Sequence, residues 1–365
     1  MAARTPPLHA VHQNADASFT DFGGWQMPVE FDSIRTEHEA VRTDAGRFDV
    51  SHMGQIEVVG PDALALTRQL VTNDVTALSP GQARYAAITD EDGIMLDDTI
   101  VYRLPDRDGE PAVLFVPNAG HDELVEPRWQ EHCDRLEMDA AVTNRTEDFA
   151  MIAVQGPTAR DLVHEQSTDP IDQLSRFQAR YATVADVECW VARTGFTGED
   201  GFELVVPADE VEPVWSALDC QPCGLGARDT LRIEAGYLLS GQDFEPDKQP
   251  RTPYEAGIGF AVKLDDEFVG RDALEAQHEE GVDEQLVGLQ LIDRGVPRNG
   301  YAIATPDGEE IGIVTSGTMS PTLDEPIALG YVPDEYREAE TKLRVVVRGE
   351  HKKAKVKSLP FVDTV

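Results

Sequence analysis

The chain has 365 residues, with 68 Asp plus Glu against 31 Lys plus Arg, for a formal net charge of −37. That length predicts two or three domains with a real core, and 41% apolar with 27% charged residues argues against a disordered chain. A potential this negative opposes phosphate backbones and anionic lipid, which excludes nucleic-acid and membrane-surface classes.

No lysine precedes Lys248. A compact chain this acidic repels itself and is tolerated best where salt screens over short distances, so a halophilic host is expected. The four cysteines do not make a disulfide framework. Cys220 and Cys223 form one C-x-x-C, far from Cys133 and Cys189, and no second pair or His pair completes a zinc site. No metal is expected. The N-terminus has no signal segment, and no apolar run approaches the ~18 residues of a membrane span, so the expected location is cytoplasmic.

In chain order, residues 55–59 read as a strand, with Gly60 and then Pro61 as the first helical residue of a segment ending near Asn73. Residues 84–89 and 94–103 read as strands around an Asp-Glu-Asp-Gly turn at 90–93. A strand at 113–116 and a helix at 122–133 follow. The pattern then recurs loosely: strand 151–154, helix 157–164, and a hairpin of 188–193 with 201–206. Helices are expected near 210–218 and at 227–236. Strand–helix–strand–strand–helix–strand twice over predicts two related α+β units and not a doubly wound nucleotide fold. From about Glu284 the helical period gives way to short strands at 286–291, 301–304, 310–314, 328–332, 343–347 and 353–357, spaced as in a small barrel or sandwich. Lys353, Lys355 and Lys357 alternate with Ala354 and Val356. These lysines either solvate an exposed face or attract an acidic partner or ligand tail.

Two glycine-rich stretches fail as phosphate loops. Residues 224–229 lack the third glycine of a dinucleotide fingerprint, and 195–201 contain no Lys and carry carboxylates where phosphate would sit. What remains is a set of charged residues at turns. Asp97 and Asp98 lie inside an apolar strand, so only one can face a given cavity; each is either a solvated-face residue or a functional carboxylate. Glu203 opens an apolar strand after a glycine-rich turn. Arg228 lies at a helix start, where a cation opposes the macrodipole unless an anion or carbonyl faces it. Asp229 and Arg232 read equally as a cap with a surface ion pair or as functional groups. Asn118, at a strand end, is most simply a self-capping turn residue.

Several words in order resemble the aminomethyltransferase (T-protein) family of the glycine cleavage system. They include F-G-G-W-Q-M-P-V at 22–29, F-D-V-S-H-M-G-Q at 48–55, N-D-V at 73–75, G-I-M-L-D-D at 93–98 and Q-G-P at 155–157. G-F-T-G-E-D-G-F-E at 195–203, G-L-G-A-R-D-T-L-R-I-E-A-G at 224–236 and G-I-V-T-S-G-T-M-S-P at 312–321 complete the set. The resemblance runs from about Thr5 to Phe361. It implies an α+β protein arranged as a three-domain ring around a central folate pocket, with two related α+β units and a C-terminal β-barrel. The corresponding boundaries are 1–50 with 145–270, 51–144 and 271–365.

The resemblance also implies transfer of an aminomethyl group from the lipoyl arm of the H-protein. Ammonia is released, and tetrahydrofolate is converted to its 5,10-methylene form. Glycine decarboxylase and dihydrolipoyl dehydrogenase are the other expected partners. By the same resemblance Asp98 is the catalytic carboxylate and Glu203 accepts the pterin N–H groups. Arg228, Asn118, Met53, Tyr85 and Tyr237 belong to the folate site. Phe196 stands where the family word usually has Tyr, and the folate contact made in many relatives by a C-terminal tyrosine is expected to be missing or supplied otherwise. The alternative is a non-catalytic or differently specific folate-binding protein of the same superfamily, since fold does not fix function.

Overall fold

A lead-in segment precedes two α+β units in the computed structural model, which describes residues 3–363. It comprises α1 (His9–Asn14), β1 (Ser18–Phe22), β2 (Trp25–Glu30), α2 (Ile34–Thr43) and β3 (Gly46–Asp49). The first unit runs β4 (Ile56–Val59), α3 (Ala63–Leu70), β5 (Ala83–Thr89), β6 (Met95–Arg107), β7 (Glu110–Val116), α4 (Asp122–Arg135) and β8 (Ala141–Asn144). The second runs β9 (Phe149–Gln155), α5 (Ala159–Glu165), β10 (Ala179–Val184), β11 (Val187–Ala192), β12 (Gly201–Pro207), α6 (Val211–Ala217) and β13 (Gln221–Cys223).

The two units share one topology. Their sheets are ordered β5-β6-β7-β4-β8 and β10-β11-β12-β9-β3-β13, so the second repeats the first with β3 inserted beside its last strand. The expected repeat is therefore present, but the second unit, like the first, has three strands between its helices and not the two read from the sequence. The sequence reading passed over β10, a short strand carrying Arg180 and Thr183 among its apolar residues, and β8, only four residues long. The helix expected from Pro61 starts later, at Ala63, and stops at Leu70, where Val71 turns extended.

Strand periodicity explains how the sheets stack. On β12, Phe202, Leu204 and Val206 enter a core with Val163 of α5 and Trp215 of α6, while Val205 faces the opposite way. On β6, Val101 packs with Leu66 of α3 and Trp129 of α4, while Tyr102 and Leu104 join Val205 in a core between the two sheets. Each sheet is thus covered outside by its own helices, and the two inner faces meet.

The chain continues through α7 (Leu225–Ala235) and α8 (Arg271–Glu280). It then forms a closed barrel of β14 (Glu284–Leu291), β15 (Ala302–Ala304), β16 (Glu310–Ser320), β17 (Glu325–Pro333), β18 (Lys342–Val347) and β19 (Glu350–Lys357), ordered β14-β17-β16-β15-β18-β19. All six expected strands are present. Among the described residues no helix is long and apolar enough to cross a membrane.

Helix α7 ties these parts together through buried charge. Arg232 is fully buried and donates to Asp243 at 2.5 Å, Asp229 at 2.8 Å, the Tyr237 carbonyl at 3.0 Å and Ser316 Oγ on β16 at 2.7 Å. The expected ion pair with Asp229 is present, Asp229 being 42% exposed, but the arginine itself is interior and its buried partner is Asp243, toward which Thr315 and Ser316 turn at a bulge in β16 between Val314 and Ser316. Two residues on, Glu234 accepts Arg42 Nη2 at 2.9 Å, Ser320 Oγ at 2.5 Å and Thr322 Oγ1 at 2.8 Å. Burial pushes its carboxyl up, but hydrogen bonds and charge from His38, Ser320 and Thr322 outweigh that and hold it at about 2.

Replacing Arg232 by Met leaves Asp243 buried and without its countercharge. The expected loss is about 3–5 kcal/mol, the range for breaking one side of a buried pair. Denaturant unfolding at fixed salt, compared with an exposed Arg35→Met control, checks it.

Candidate functional site

The two α+β units and the barrel enclose a cavity of about 520 Å³, within the size range of small-molecule sites. The first unit contributes Tyr85, Asp98 and Asn118, the second Thr194 and Glu203, helix α7 contributes Arg228, and the barrel side supplies Leu286 and Leu359.

At one end, Asp97 and Asp98 stand side by side on β6 and face apart, as a strand requires. Asp98 lines the cavity; Asp97 is buried behind it. One amide links them, since Asn118 Nδ2 lies 2.7 Å from Asp97 Oδ1 and 2.7 Å from Asp98 Oδ1. Asp97 Oδ2 also accepts the Asn118 backbone N–H at 3.0 Å. Neither carboxylate is a solvated-face residue. Asp97 fixes Asn118, and Asn118 with the Tyr85 hydroxyl (2.7 Å to Oδ2) fixes Asp98. Burial, then the neighbouring Asp97 charge, pushes the Asp98 carboxyl up to about 6 against the pull of these two hydrogen bonds.

At the other end, Glu203 is buried on β12 between Ala153 and Ala192 of the flanking strands. Thr194 Oγ1 donates to its Oε2 at 2.6 Å, and Tyr102 OH lies 3.1 Å from the same hydroxyl. Burial raises the Glu203 carboxyl, opposed by the Thr194 hydrogen bond and the Arg228 charge. The Arg228 guanidinium lies 4.1 Å above the Phe196 ring, which itself sits 5.8 Å from the Tyr237 ring. Burial drags this guanidinium down to about 10. It makes no hydrogen bond or ion pair within 4 Å among the described residues. A cation out of bulk water with only a ring beneath it is set to receive an anionic or carbonyl-bearing ligand.

The loop at 195–201 is built by close approach. A Cβ on Gly195 would stand 1.9 Å from Gln155 Oε1, and one on Gly201 would stand 2.1 Å from the Val154 carbonyl. Gln155 donates to the Thr194 carbonyl at 3.1 Å and accepts Thr197 Oγ1 at 2.9 Å. From outside, Arg42 holds Glu199 and the Thr197 carbonyl at 2.8 and 2.9 Å. The glycines let the loop lie flat on Gln155, which aims Thr194 and Phe196 into the cavity.

All seven residues singled out from sequence, Met53, Tyr85, Asp98, Asn118, Glu203, Arg228 and Tyr237, line this one cavity. Sequence reasoning missed Tyr102 and Thr194. Stepping by two from Asp98 along the strand gives Ile100 and then Tyr102, both on its walls, so that signal was present. Thr194 carried none beyond its place beside the glycine-rich word. The C-x-x-C cysteines are free thiols away from the cavity, and burial holds Cys220 at about 12.

The profile of the GCVT N-terminal domain matches residues 8–266, and that of the glycine cleavage T-protein C-terminal barrel domain matches residues 284–363. The chain is 63% identical to a probable aminomethyltransferase of Haloarcula marismortui over 100% of both chains. It is 43% identical to an aminomethyltransferase of Bacillus pumilus over 99% of both. The crystal structure of glycine cleavage system aminomethyltransferase T from Bartonella henselae superposes with a TM-score of 0.91 at 32% identity, covering 99% of this chain and 98% of that one.

Tyr85→Phe removes a hydrogen bond that stabilises ionised Asp98. The midpoint near 6 should therefore move upward by about one pH unit, as expected for losing a bond of ~1.5 kcal/mol to a charged group. Carboxyl carbon NMR of the two proteins measures it; an unmoved or lower midpoint contradicts the assigned geometry.

Proposed function

The chain belongs to the glycine cleavage T-protein family, and we propose that it acts there as a tetrahydrofolate-dependent aminomethyltransferase. In this reading it takes the aminomethyl group from the lipoyl arm of the H-protein, releases ammonia and yields 5,10-methylenetetrahydrofolate. The observation that carries the reading is that three of the charged groups lining one cavity, Asp98, Glu203 and Arg228, stand in different surroundings. Glu203 and Arg228 recognise, and Asp98, on the other α+β unit, meets developing charge.

The residues fit a reduced pterin on chemical grounds. Its ring edge presents an N–H and an amino group side by side, which a buried carboxylate such as Glu203 can accept together. Glu203 must be held in one orientation to do so, and the Thr194 hydroxyl at 2.6 Å supplies that hold. Arg228 feels Glu203 only at longer range, without an ion pair within 4 Å among the described residues, and suits a carbonyl or carboxylate of the same ligand. Phe196 lies 4.1 Å beneath the Arg228 guanidinium without the hydroxyl a tyrosine would add. When bound, tetrahydrofolate supplies the amine that accepts the one-carbon unit.

Asp98 acts on the arm. As the carbon–nitrogen bond of the aminomethyl group breaks, positive charge builds at carbon and the leaving nitrogen needs a proton. A fixed carboxylate in a water-poor site stabilises that charge and can relay the proton. The Tyr85 hydroxyl and Asn118 amide hold its two oxygens, so little reorganisation is needed as charge develops. Burial keeps its proton affinity near the working pH, which suits proton relay.

Purified protein supplied with aminomethyl-loaded H-protein should release ammonia faster with tetrahydrofolate than without it. Asp98→Asn should lower that turnover by at least ~10²-fold with folate affinity within a few-fold, because its charge matters mainly in the transition state. Glu203→Gln should instead weaken folate binding by ~1.5–3 kcal/mol, since an amide offers a donor to a donor. Calorimetry separates the two. Undiminished ammonia release by the Asp98 variant would take Asp98 out of the reaction, and folate binding with no ammonia release by wild type would leave a folate-binding protein without this catalysis.

A further inference from the structure

The chain contains only seven lysines, and five of them, Lys342, Lys352, Lys353, Lys355 and Lys357, fall on the β18–β19 hairpin. On these strands Leu343, Val345, Ala354 and Val356 point into the barrel core, so Lys342, Arg344, Lys353, Lys355 and Lys357 share the outer face. The register sets like charges directly opposite: Lys342 faces Lys355, and Arg344 faces Lys353. Such cross-strand pairs destabilise a sheet. Among the described residues only Glu340 forms ion pairs with this face, 3.0 Å from Lys355 and 3.5 Å from Lys357, while Asp293 accepts the Lys353 backbone N–H at 2.8 Å. Lys342, Arg344 and Lys353 make no ion pair within 4 Å among the described residues.

The face leads toward the chemistry. A second cavity of about 340 Å³ is walled by Lys357, Ser358, Leu359 and Gly288, and Leu286 and Leu359 line both it and the central cavity. Leu286 and Leu359 pack in one apolar cluster with Tyr85, whose hydroxyl holds Asp98. Leu359 also lies against Gly236, beside Tyr237, so an arm entering beside Lys357 reaches the central cavity past Leu286 and Leu359.

We propose that the outer face of β18–β19 is the docking surface for an acidic patch of the arm-bearing carrier protein, with the arm passing between Lys357 and Leu359 into the cavity. This rests on the reading that a protein-borne arm delivers the one-carbon unit. The face is an open barrel wall without enclosing sides, which matches a protein surface better than a small anionic tail. Charges arranged this way also steer encounter within a long-range field that otherwise repels acidic partners.

The test compares Arg344→Glu/Lys353→Glu with Lys248→Glu/Lys263→Glu, an equal charge change at two exposed lysines elsewhere. Calorimetry with lipoylated H-protein from the same host at about 0.2 M KCl is expected to show at least tenfold weaker binding for the first variant and less than about twofold for the second. Turnover of free aminomethyl-dihydrolipoamide should match wild type in both, which shows the cavity intact. Equal H-protein affinities in the two variants overturn the proposal. So does a loss confined to binding of a polyglutamylated folate, which would make the face a tail site. If wild type releases ammonia from neither carrier form, the functional reading fails, whereas the binding contrast still decides the docking face.

Discussion

Buried charge on one helix is the constraint on which this molecule depends. Over three turns α7 sends Arg228 into the cavity, Arg232 to Asp243 and the barrel, and Glu234 to Arg42 and the loop that follows β16. Each of these groups would be costly alone in the interior, and two are satisfied by several partners at once. Arg228 is the exception. The helix is locked by the two charges that are paired, and it presents to the cavity the one that is not. Arg42 extends the same network to Glu199 and Thr197, so the glycine-rich loop is fixed from the side away from the cavity.

That rigidity matters because the site works by desolvation. Asp98 and Glu203 both hold their protons more tightly than free carboxyls, and burial is the leading cause for each. They differ in what surrounds them. Glu203 has one hydroxyl and a cation that can meet the same ligand. Asp98 has a second carboxylate behind it, shared through Asn118. The first arrangement favours recognition of donor groups; the second keeps a proton affinity near neutrality within reach of a reacting carbon. Two carboxylates in one cavity thus acquire different surroundings, which suit the separate tasks proposed for them.

Much of this was legible in the sequence, for reasons that differ by element. The barrel strands stood out because apolar alternation with regular turns survives even where the exposed face is all lysine, as on β19. The turn before Asp98 was equally plain, with Gly93 at a positive φ of 77°. Strands β8 and β10 were not, being short or interrupted by polar residues whose burial depends on tertiary neighbours. Asp98, Asn118, Glu203 and Arg228 stood out at turns and in strands, their roles and the other three cavity residues came from a family resemblance, and chain periodicity alone would have added Tyr102. The interior pairing of Arg232 had no local signal, because it depends on a bulge in β16 more than eighty residues away. Long-range pairing of charge is where a single sequence falls silent.

The account stands on Asp98 working as an anion in the arm-bound reaction. Its folded midpoint lies above the usual carboxylate range, so its charge is present above about pH 6 and lost as pH falls through that value. The direct measurement is kcat/KM for aminomethyl-loaded H-protein against pH, at constant salt with the fold monitored throughout. The expected profile has an acid limb that falls tenfold per pH unit below about 6, reporting the free enzyme's essential base. A rate that stays level down to pH 5 with the fold intact, or that rises as Asp98 takes up its proton, would contradict it.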